Sequence, residues 1–366
     1  MSIVRPATAT SWVALGCVLG VCACASPPAA PELELAHEAG TIPTAPLVES
    51  LPAAVTEPER RSLDAFLGEP DAPLLRSLRD SSVVDIERGR GGRSMGFKLT
   101  LADGTQGYFK PEQSFSGAHW YSEIAAYHLD RELGFGRVPV VTGRVLPWAP
   151  LRRAARGDAR LREVTVRDGS VRGAFVWWIP GGLDALHLPD GWERWIRVQS
   201  LLPISPYQRP AQLRAALRRD APPRPHHIRH QGPDSPTRPQ DLSDLIVFDY
   251  LTSNVDRWGG GFTNVRVRSA DAALVYLDNG AGFWPRARLG LMDRRLEALQ
   301  RFRRSTIRAL EDFDLDHYRQ RLANDPLAPV LSEARIQAVD ERRRAVLEHV
   351  RKLVERYGED AVLAYE

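Results

Sequence analysis

Apolar and polar residues alternate through Gly96-Phe97-Lys98-Leu99-Thr100-Leu101 and again through Gln106-Gly107-Tyr108-Phe109-Lys110-Pro111. A period of two predicts strands, and the intervening Ala102-Asp103-Gly104-Thr105 predicts a hairpin. With Asp103-Gly104-Thr105 as a three-residue loop, Lys98 lies opposite Lys110 and Thr100 opposite Tyr108. Alternation then gathers Phe97, Leu99, Leu101 and Phe109 on one face as core, with both lysines on the other. A two-residue Asp103-Gly104 turn would split the lysines across the sheet, so the coherent apolar face favours the longer loop. Upstream, Arg88-Gly89-Arg90-Gly91-Gly92-Arg93-Ser94-Met95-Gly96 is a glycine-rich turn of the kind whose backbone N–H groups can approach a phosphate.

The period then changes. Apolar positions recur at 121, 124/125, 128/129 and 133, and Gly134 follows, which predicts a helix with Glu123 near its start. His128 falls on the apolar stripe and reads as a packed core residue. Further on, an apolar helix through Asp244-Leu245-Ile246-Val247-Phe248-Asp249-Tyr250-Leu251 runs into Thr252-Ser253-Asn254-Val255-Asp256-Arg257. Glycines 259–261 and Phe262-Thr263-Asn264 come next, and a strand Ala273-Leu274-Val275-Tyr276-Leu277 delivers Asp278-Asn279-Gly280. Asp256 and Asp278 thus flank a pair of strands. Alone, Asp-Asn-Gly reads as a turn and Asp256-Arg257 as a surface ion pair.

Composition sharpens the hairpin. Lys and Arg together number 49, yet the only lysines are Lys98, Lys110 and Lys352. A chain that uses arginine almost everywhere keeps lysine where a compact point charge is needed, as against a phosphate in a tight cleft. Two cations on one face repel, and an anion between them relieves the cost. Lys352, beside Arg351 on a terminal helix, reads as surface.

The remaining composition sets the context. Arg5, the apolar run from Trp12 to Val21 and the sequence Val21-Cys22-Ala23-Cys24 read as a lipoprotein signal, residues 1–23, with Cys24 the lipidated residue. The run is too short to span a bilayer. Residues 24–58 are rich in Pro and Ala and read as a tether that lifts a domain off a membrane. Ala25 and Ser26 after Cys24 point to a cell-envelope protein of the outer membrane. Removing residues 1–23 takes one charge, Arg5, from the formal +3 and leaves +2, which gives no sign of a nucleic-acid partner. The basic cluster from Arg152 to Arg162 reads as a solvated face. A second Pro-rich stretch, 220–240, reads as a loop insert, and its His226, His227 and His230 as solvated.

One carboxylate near an attacking hydroxyl, a second to hold a divalent cation and an amide oxygen beside it form the inventory of phosphoryl transfer. In that light the ordered segments resemble the secretory-pathway kinases, the family of the Golgi casein kinase and four-jointed proteins. The segments are Tyr108-Phe109-Lys110-Pro111, Glu123-Ile124-Ala125-Ala126-Tyr127-His128-Leu129-Asp130-Arg131 with Arg137-Val138-Pro139, Phe248-Asp249-Tyr250-Leu251 with Asn254-Val255-Asp256-Arg257, and Leu277-Asp278-Asn279-Gly280-Ala281-Gly282-Phe283. Arg304-Ser305-Thr306 is similar to a stretch of their C-terminal lobe. The resemblance runs from about Gly89 to the final helices.

It implies an α+β, atypical two-lobed kinase-like fold, with a β-rich N-lobe over 59–182 and a mostly helical C-lobe over 183–366. It implies ATP or another nucleoside triphosphate as co-substrate, with Mg2+ or Mn2+. By matching position, Lys110 would hold nucleotide phosphates with Lys98 as a second lysine. Glu123 would pair with lysine or help bind metal at the nucleotide. Asp256 would be the catalytic aspartate, Asp278 the metal ligand and Asn264 a further one. Ala174-Phe175-Val176-Trp177-Trp178-Ile179-Pro180 would lie near the adenine. The acceptor would be a Ser/Thr hydroxyl of a protein or a sugar hydroxyl of a glycan. Trp258 stands where the family often has histidine, and the glycine run lengthens the loop before Asn264. These departures define the alternative, a nucleotide-binding pseudokinase or a scaffolding lipoprotein.

Overall fold

The computed structural model describes residues 64–366 except 91, 116, 187, 189–190, 201, 205–236, 260–263 and 287–289. The signal segment, Cys24, the tether and most of the Pro-rich insert with its histidines lie outside the described residues.

The N-lobe is a five-stranded antiparallel sheet. Two short strands, β1 (Ala65–Phe66) and β2 (Glu69–Pro70), and helix α1 (Asp71–Asp80) precede it. The sheet comprises β3 (Val83–Arg88), β4 (Phe97–Leu101), β5 (Gln106–Pro111), β6 (Val141–Pro147) and β7 (Ser170–Trp177), in the order β3-β4-β5-β7-β6. Phe97, Leu99, Leu101, Phe109 and Phe175 are buried on one face, with Leu78, Leu151 and Val171.

The hairpin register differs from expectation by two residues. Phe97 pairs with Phe109, Lys98 with Tyr108 and Thr100 with Gln106, so Lys98 does not face Lys110. The three-residue loop is Ala102-Asp103-Gly104, closed by the Leu101 N–H donating to the Thr105 carbonyl at 2.8 Å. Gly104 sits at φ +85°, so the last loop position is left-handed and takes glycine where the expected loop would have put threonine. The Asp103 carboxylate fixes the turn by accepting from the Thr105 N–H and from the Ser77 and Ser81 hydroxyls. A shift of two residues preserves the faces, because side chains alternate with period two. The lysines therefore remain together on the face away from the core.

Helix α2 (Trp120–Glu132) packs on the other face of the sheet, against β6 and β7. It is buried nearly all round, so its polar groups need partners. Asp130 accepts from the backbone N–H groups of Arg137 and Val138, and Arg131 pairs with Asp71 at 2.6 Å. His128 is buried, and burial pushes its imidazole down to about 3, as a neutral core residue.

Short helix α3 (Trp148–Ala154) and a 3-10 turn (Ala159–Glu163) connect β6 to β7. The C-lobe follows. Strand β8 (Leu183–Ala185) pairs with β9 (Arg266–Arg268), which pairs with β10 (Leu274–Val275). A 3-10 turn (Trp192–Ile196) and α4 (Arg238–Thr252) come between them in sequence. Arg238 to Gln240, expected as loop, are instead the start of α4: Pro is tolerated in a first turn, where its missing N–H has no helical partner. Helices α5 (Gly290–Ala298), α6 (Arg304–Glu311), α7 (Leu315–Ala323), α8 (Glu333–Tyr357) and α9 (Glu359–Val362) complete the lobe. Lys352 lies on the exposed side of α8, 3.1 Å from Glu348. Buried residues of α2, α4 and α8 share one core.

Phe109 is the central apolar anchor of the hairpin and has no exposed surface. Phe109→Ala is expected to lower unfolding free energy by about 3–5 kcal/mol, and Val84→Ala on the edge strand by less than about 0.5 kcal/mol, as read from urea unfolding curves.

Candidate active site

The hairpin's polar face and the Asp278 loop meet in a cavity of about 610 Å³ between the lobes, whose wall does not include Asp256. Its wall includes Tyr108 and Lys110 from β5, Glu123 from α2, Val176 to Ile179 from the end of β7, and Asn264, Arg266, Leu277 and Asp278 from the C-lobe. Lys110 is at the centre. Its Nζ lies 2.6 Å from Glu123 Oε1 and 2.8 Å from Asp278 Oδ1. Burial alone would lower the Lys110 ammonium, but the two carboxylates more than offset it and hold it well above its ordinary range. Lys110 in turn holds the Asp278 carboxyl below its usual value.

Each side chain is placed by local structure. Gly173 lies against the Lys110 carbonyl, where a Cβ would come within 2.3 Å, so β7 runs unusually close behind the lysine. Glu123 is in the first turn of α2, where a carboxylate suits the helix dipole. Asp278 adopts φ +60°, a left-handed conformation that Asp tolerates better than most residues. Neighbours hold it there. Asn254 Nδ2 donates to the Asp278 carbonyl at 3.1 Å, and Arg257 bonds the Leu277 carbonyl and the Asn279 side chain. Gly280 accepts from the His119 N–H at 2.9 Å, and Gly282 accepts from the Ser122 hydroxyl at 3.1 Å, joining this loop to the start of α2.

Asp256 is exposed and accepts a hydrogen bond from Asn264 Nδ2 at 3.2 Å. Its own N–H donates to Asn254 Oδ1 at 3.2 Å. Asn254 therefore ties the Asp256 loop to the Asp278 loop. Asn264, beyond the lengthened glycine loop, is in the cavity wall. Arg257 is not a surface ion-pair partner: it is buried against Asp249, Nε to Oδ1 2.9 Å. Trp258 is also fully buried, donates to Asp249 at 2.7 Å and stacks on Trp192 with centroids 5.8 Å apart. It neither lines nor blocks the cavity.

Lys98 does not join the Lys110, Glu123 and Asp278 cluster. Its Nζ sits 4.8 Å from the centroid of the Trp178 ring, a cation–π contact, and the cavity wall does not include it. Three residues of the site were not singled out from the sequence. Asn254 carries no signal beyond its place before Asp256. Arg90 and Arg266 line the cavity but are two arginines among many, and only the fold separates them from the rest.

Comparison with known proteins agrees with this geometry. Residues 186–362 match the family model described as Golgi casein kinase, C-terminal, Fam20. The chain is similar to the Fam20 kinases. It is 27% identical over 334 residues to the human extracellular serine/threonine protein kinase FAM20C, covering 79% of this chain and 55% of that one. It is 24% identical to human glycosaminoglycan xylosylkinase, covering 79% and 76%. The chain thus spans just over half the length of the first relative. The crystal structure of the Golgi casein kinase with Mn/ADP bound superposes with a TM-score of 0.60 at 18% identity, covering 82% of this chain and 80% of that one. That likeness establishes the two-lobed kinase-like fold of this chain.

The ion pair has a testable pH signature. A carboxyl depressed by Lys110 contributes stability that is complete above its ordinary value of 3.8 and is lost as pH falls through the lower folded value. Urea midpoints of the wild-type protein and Asp278→Asn are expected to differ at neutral pH and to converge as pH drops below about 4. A gap that stays constant down to acid pH counts against the pair.

Proposed function

We propose that this protein is a kinase that transfers the terminal phosphate of a nucleoside triphosphate to a Ser/Thr or sugar hydroxyl. The observation that carries the reading is Lys110 bridging Glu123 and Asp278 inside a cleft whose wall includes Asn264, which donates a hydrogen bond to Asp256. The printed activities of the relatives, a serine/threonine protein kinase and a xylosylkinase, support both acceptor classes.

In this mechanism the acceptor oxygen forms a bond to the terminal phosphorus as the bridging P–O bond breaks, and the nucleoside diphosphate leaves with the electron pair. Asp256 accepts the hydroxyl proton. Lys110 passes from Asp278 to the phosphate oxygens, held in place by Glu123. Arg90 and Arg266 add positive charge along the same wall. Trp177 and Trp178 offer an apolar bed for the base.

Among the described residues, no group of three His, Cys, Asp or Glu side chains could hold a metal by itself. The donors present, the exposed Asp278 carboxylate and the Asn264 amide oxygen, are hard oxygens that suit Mg2+ or Mn2+ completed by phosphate and water. Such an ion would neutralise charge on the phosphates. The structure of the Golgi casein kinase with Mn/ADP bound supports a divalent cation beside the nucleotide. Trp258 is buried and is not part of the cavity wall, which favours the kinase reading over the nucleotide-binding alternative.

The cell-envelope reading is part of this proposal: Cys24 is lipidated, residues 1–23 are removed, and the kinase works tethered to a membrane outside the cytoplasm. Among the described residues no helix is long and apolar enough to cross a membrane.

Purified protein incubated with radiolabelled ATP and Mn2+ is expected to label an acidic Ser-containing peptide or a xyloside. Asp278→Ala and Asp256→Asn are expected to lower the rate at least about a hundredfold, the scale of a lost general base or metal ligand. Equal labelling by wild type and Asp278→Ala would sink the assignment. For the anchor, cells fed an alkyne fatty acid are expected to label the wild-type protein and not Cys24→Ser. Labelling of both variants alike argues against Cys24 as the lipid site.

A further inference from the structure

The basic cluster of 152–162 divides in the structure. Arg152, Arg153, Arg156 and Arg162 are exposed. Arg160 instead folds onto the glycine-rich turn between β3 and β4. Its Nη1 donates to the carbonyls of Gly92 and Ser94, each at 3.0 Å, and its Nη2 approaches the Gly89 carbonyl at 3.5 Å. The other edge of the guanidinium is fixed by Asp158, with Nε to Oδ1 at 3.0 Å and Nη2 to Oδ2 at 2.7 Å. Two more contacts reach the turn from the same short segment. Glu163 takes a bidentate pair from Arg93 at 2.7 and 2.8 Å, and Asp158 also accepts from Arg88 at 3.3 Å.

The turn has a front and a back. Arg90, Gly92 and Ser94 line the cavity, whereas Arg160 does not. Arg160 therefore grips carbonyl oxygens from behind. In a trans peptide the N–H points opposite to the C=O of the same unit. Drawing the Gly89 and Gly92 carbonyls to Arg160 turns the N–H groups of Arg90 and Arg93 away from it. Meanwhile the Met95 N–H of the third unit donates to Gln113 at 2.8 Å. Tyr108 closes the base of the turn: a Cβ on Gly89 or Gly96 would come within 2.1 or 2.5 Å of its phenol oxygen. Glycine-rich backbone loses about 1–2 kcal/mol of conformational entropy per residue when ordered. A turn already ordered by Arg160 does not incur that cost on binding.

We propose that Arg160, oriented by Asp158, is a positioning residue that holds the glycine-rich turn ready to receive the nucleotide's phosphates. The inference rests on the kinase reading above and identifies which side chain organises that rim. Lysine cannot replace it, because a single ammonium on a flexible stem does not span two carbonyls and a carboxylate with fixed geometry.

Titration with ADP plus Mn2+ and, separately, with adenosine tests this. Wild type is expected to bind both, and failure to bind ADP overturns the underlying kinase reading rather than the role of Arg160. Arg160→Ala and Arg160→Lys are each expected to weaken ADP about tenfold, the equivalent of 1.4 kcal/mol. Both should leave adenosine affinity within twofold, and raise KM for ATP far more than they lower kcat. Equal ADP binding by wild type and Arg160→Ala overturns the proposal. So does full rescue by Arg160→Lys, which would mean that net charge alone matters. Parallel loss of adenosine and ADP binding overturns it too, because that marks a general structural defect.

Discussion

Everything in the cleft depends on one ammonium group shared by two carboxylates. Lys110 comes from the sheet, Glu123 from the helix behind it and Asp278 from the other lobe. Their meeting within 2.8 Å fixes the register of β5, the rotation of α2 and the approach of the lobes at once. Glu123 is buried and needs this cation, since an uncompensated charge in the interior is expensive. Asp278 is exposed and does not need it. The pair is therefore asymmetric: Lys110 meets a buried carboxylate of its own lobe and an exposed one of the other. In the proposed mechanism it is the exposed partner that gives way to a phosphate.

The C-lobe side of this contact is held by a second, drier network. Asp249 in α4 is fully buried, and burial pushes its carboxyl up despite Arg257 beside it. Arg257 and Trp258 both point at Asp249, and Arg257 extends to the Leu277 carbonyl and Asn279. This network supports the left-handed Asp278, a conformation that costs free energy unless its surroundings over-determine it. Asn254 then links that residue to Asp256. The Asp256 and Asp278 carboxylates are thus positioned by one buried cluster rather than by independent loops.

This division explains what the chain disclosed in advance. Faces of the hairpin were legible because period-two alternation survives a register shift of two, whereas the pairing of Lys98 with Lys110 was not. Register depends on which loop residue can take a positive φ, and Asp103-Gly104-Thr105 offered Gly104 at the wrong place in the expected loop. The acidic loops were legible as a set from their order. The burial of Arg257 and Trp258 was not, because their partner Asp249 looks like any acid in a helix. Lysine scarcity marked Lys98 and Lys110 alike, and only the sheet separates Lys110 in the cleft wall from Lys98 resting on Trp178.

Arginine supplies the contrast that makes Lys110 intelligible. Where this fold must hold several oxygens in fixed directions it uses a guanidinium: Arg257 on Asp249, Arg160 on the glycine-rich turn and Arg131 on Asp71. Each of these is a static fixture, and a planar fork with five donors serves it well. In the proposed mechanism Lys110 has a different task, because its partner on one side changes. A compact ammonium keeps Glu123 while releasing Asp278, without the reorientation that a bidentate fork would require. In a chain with 49 basic residues of which three are lysine, the lysine that matters most is at the contact that has to exchange.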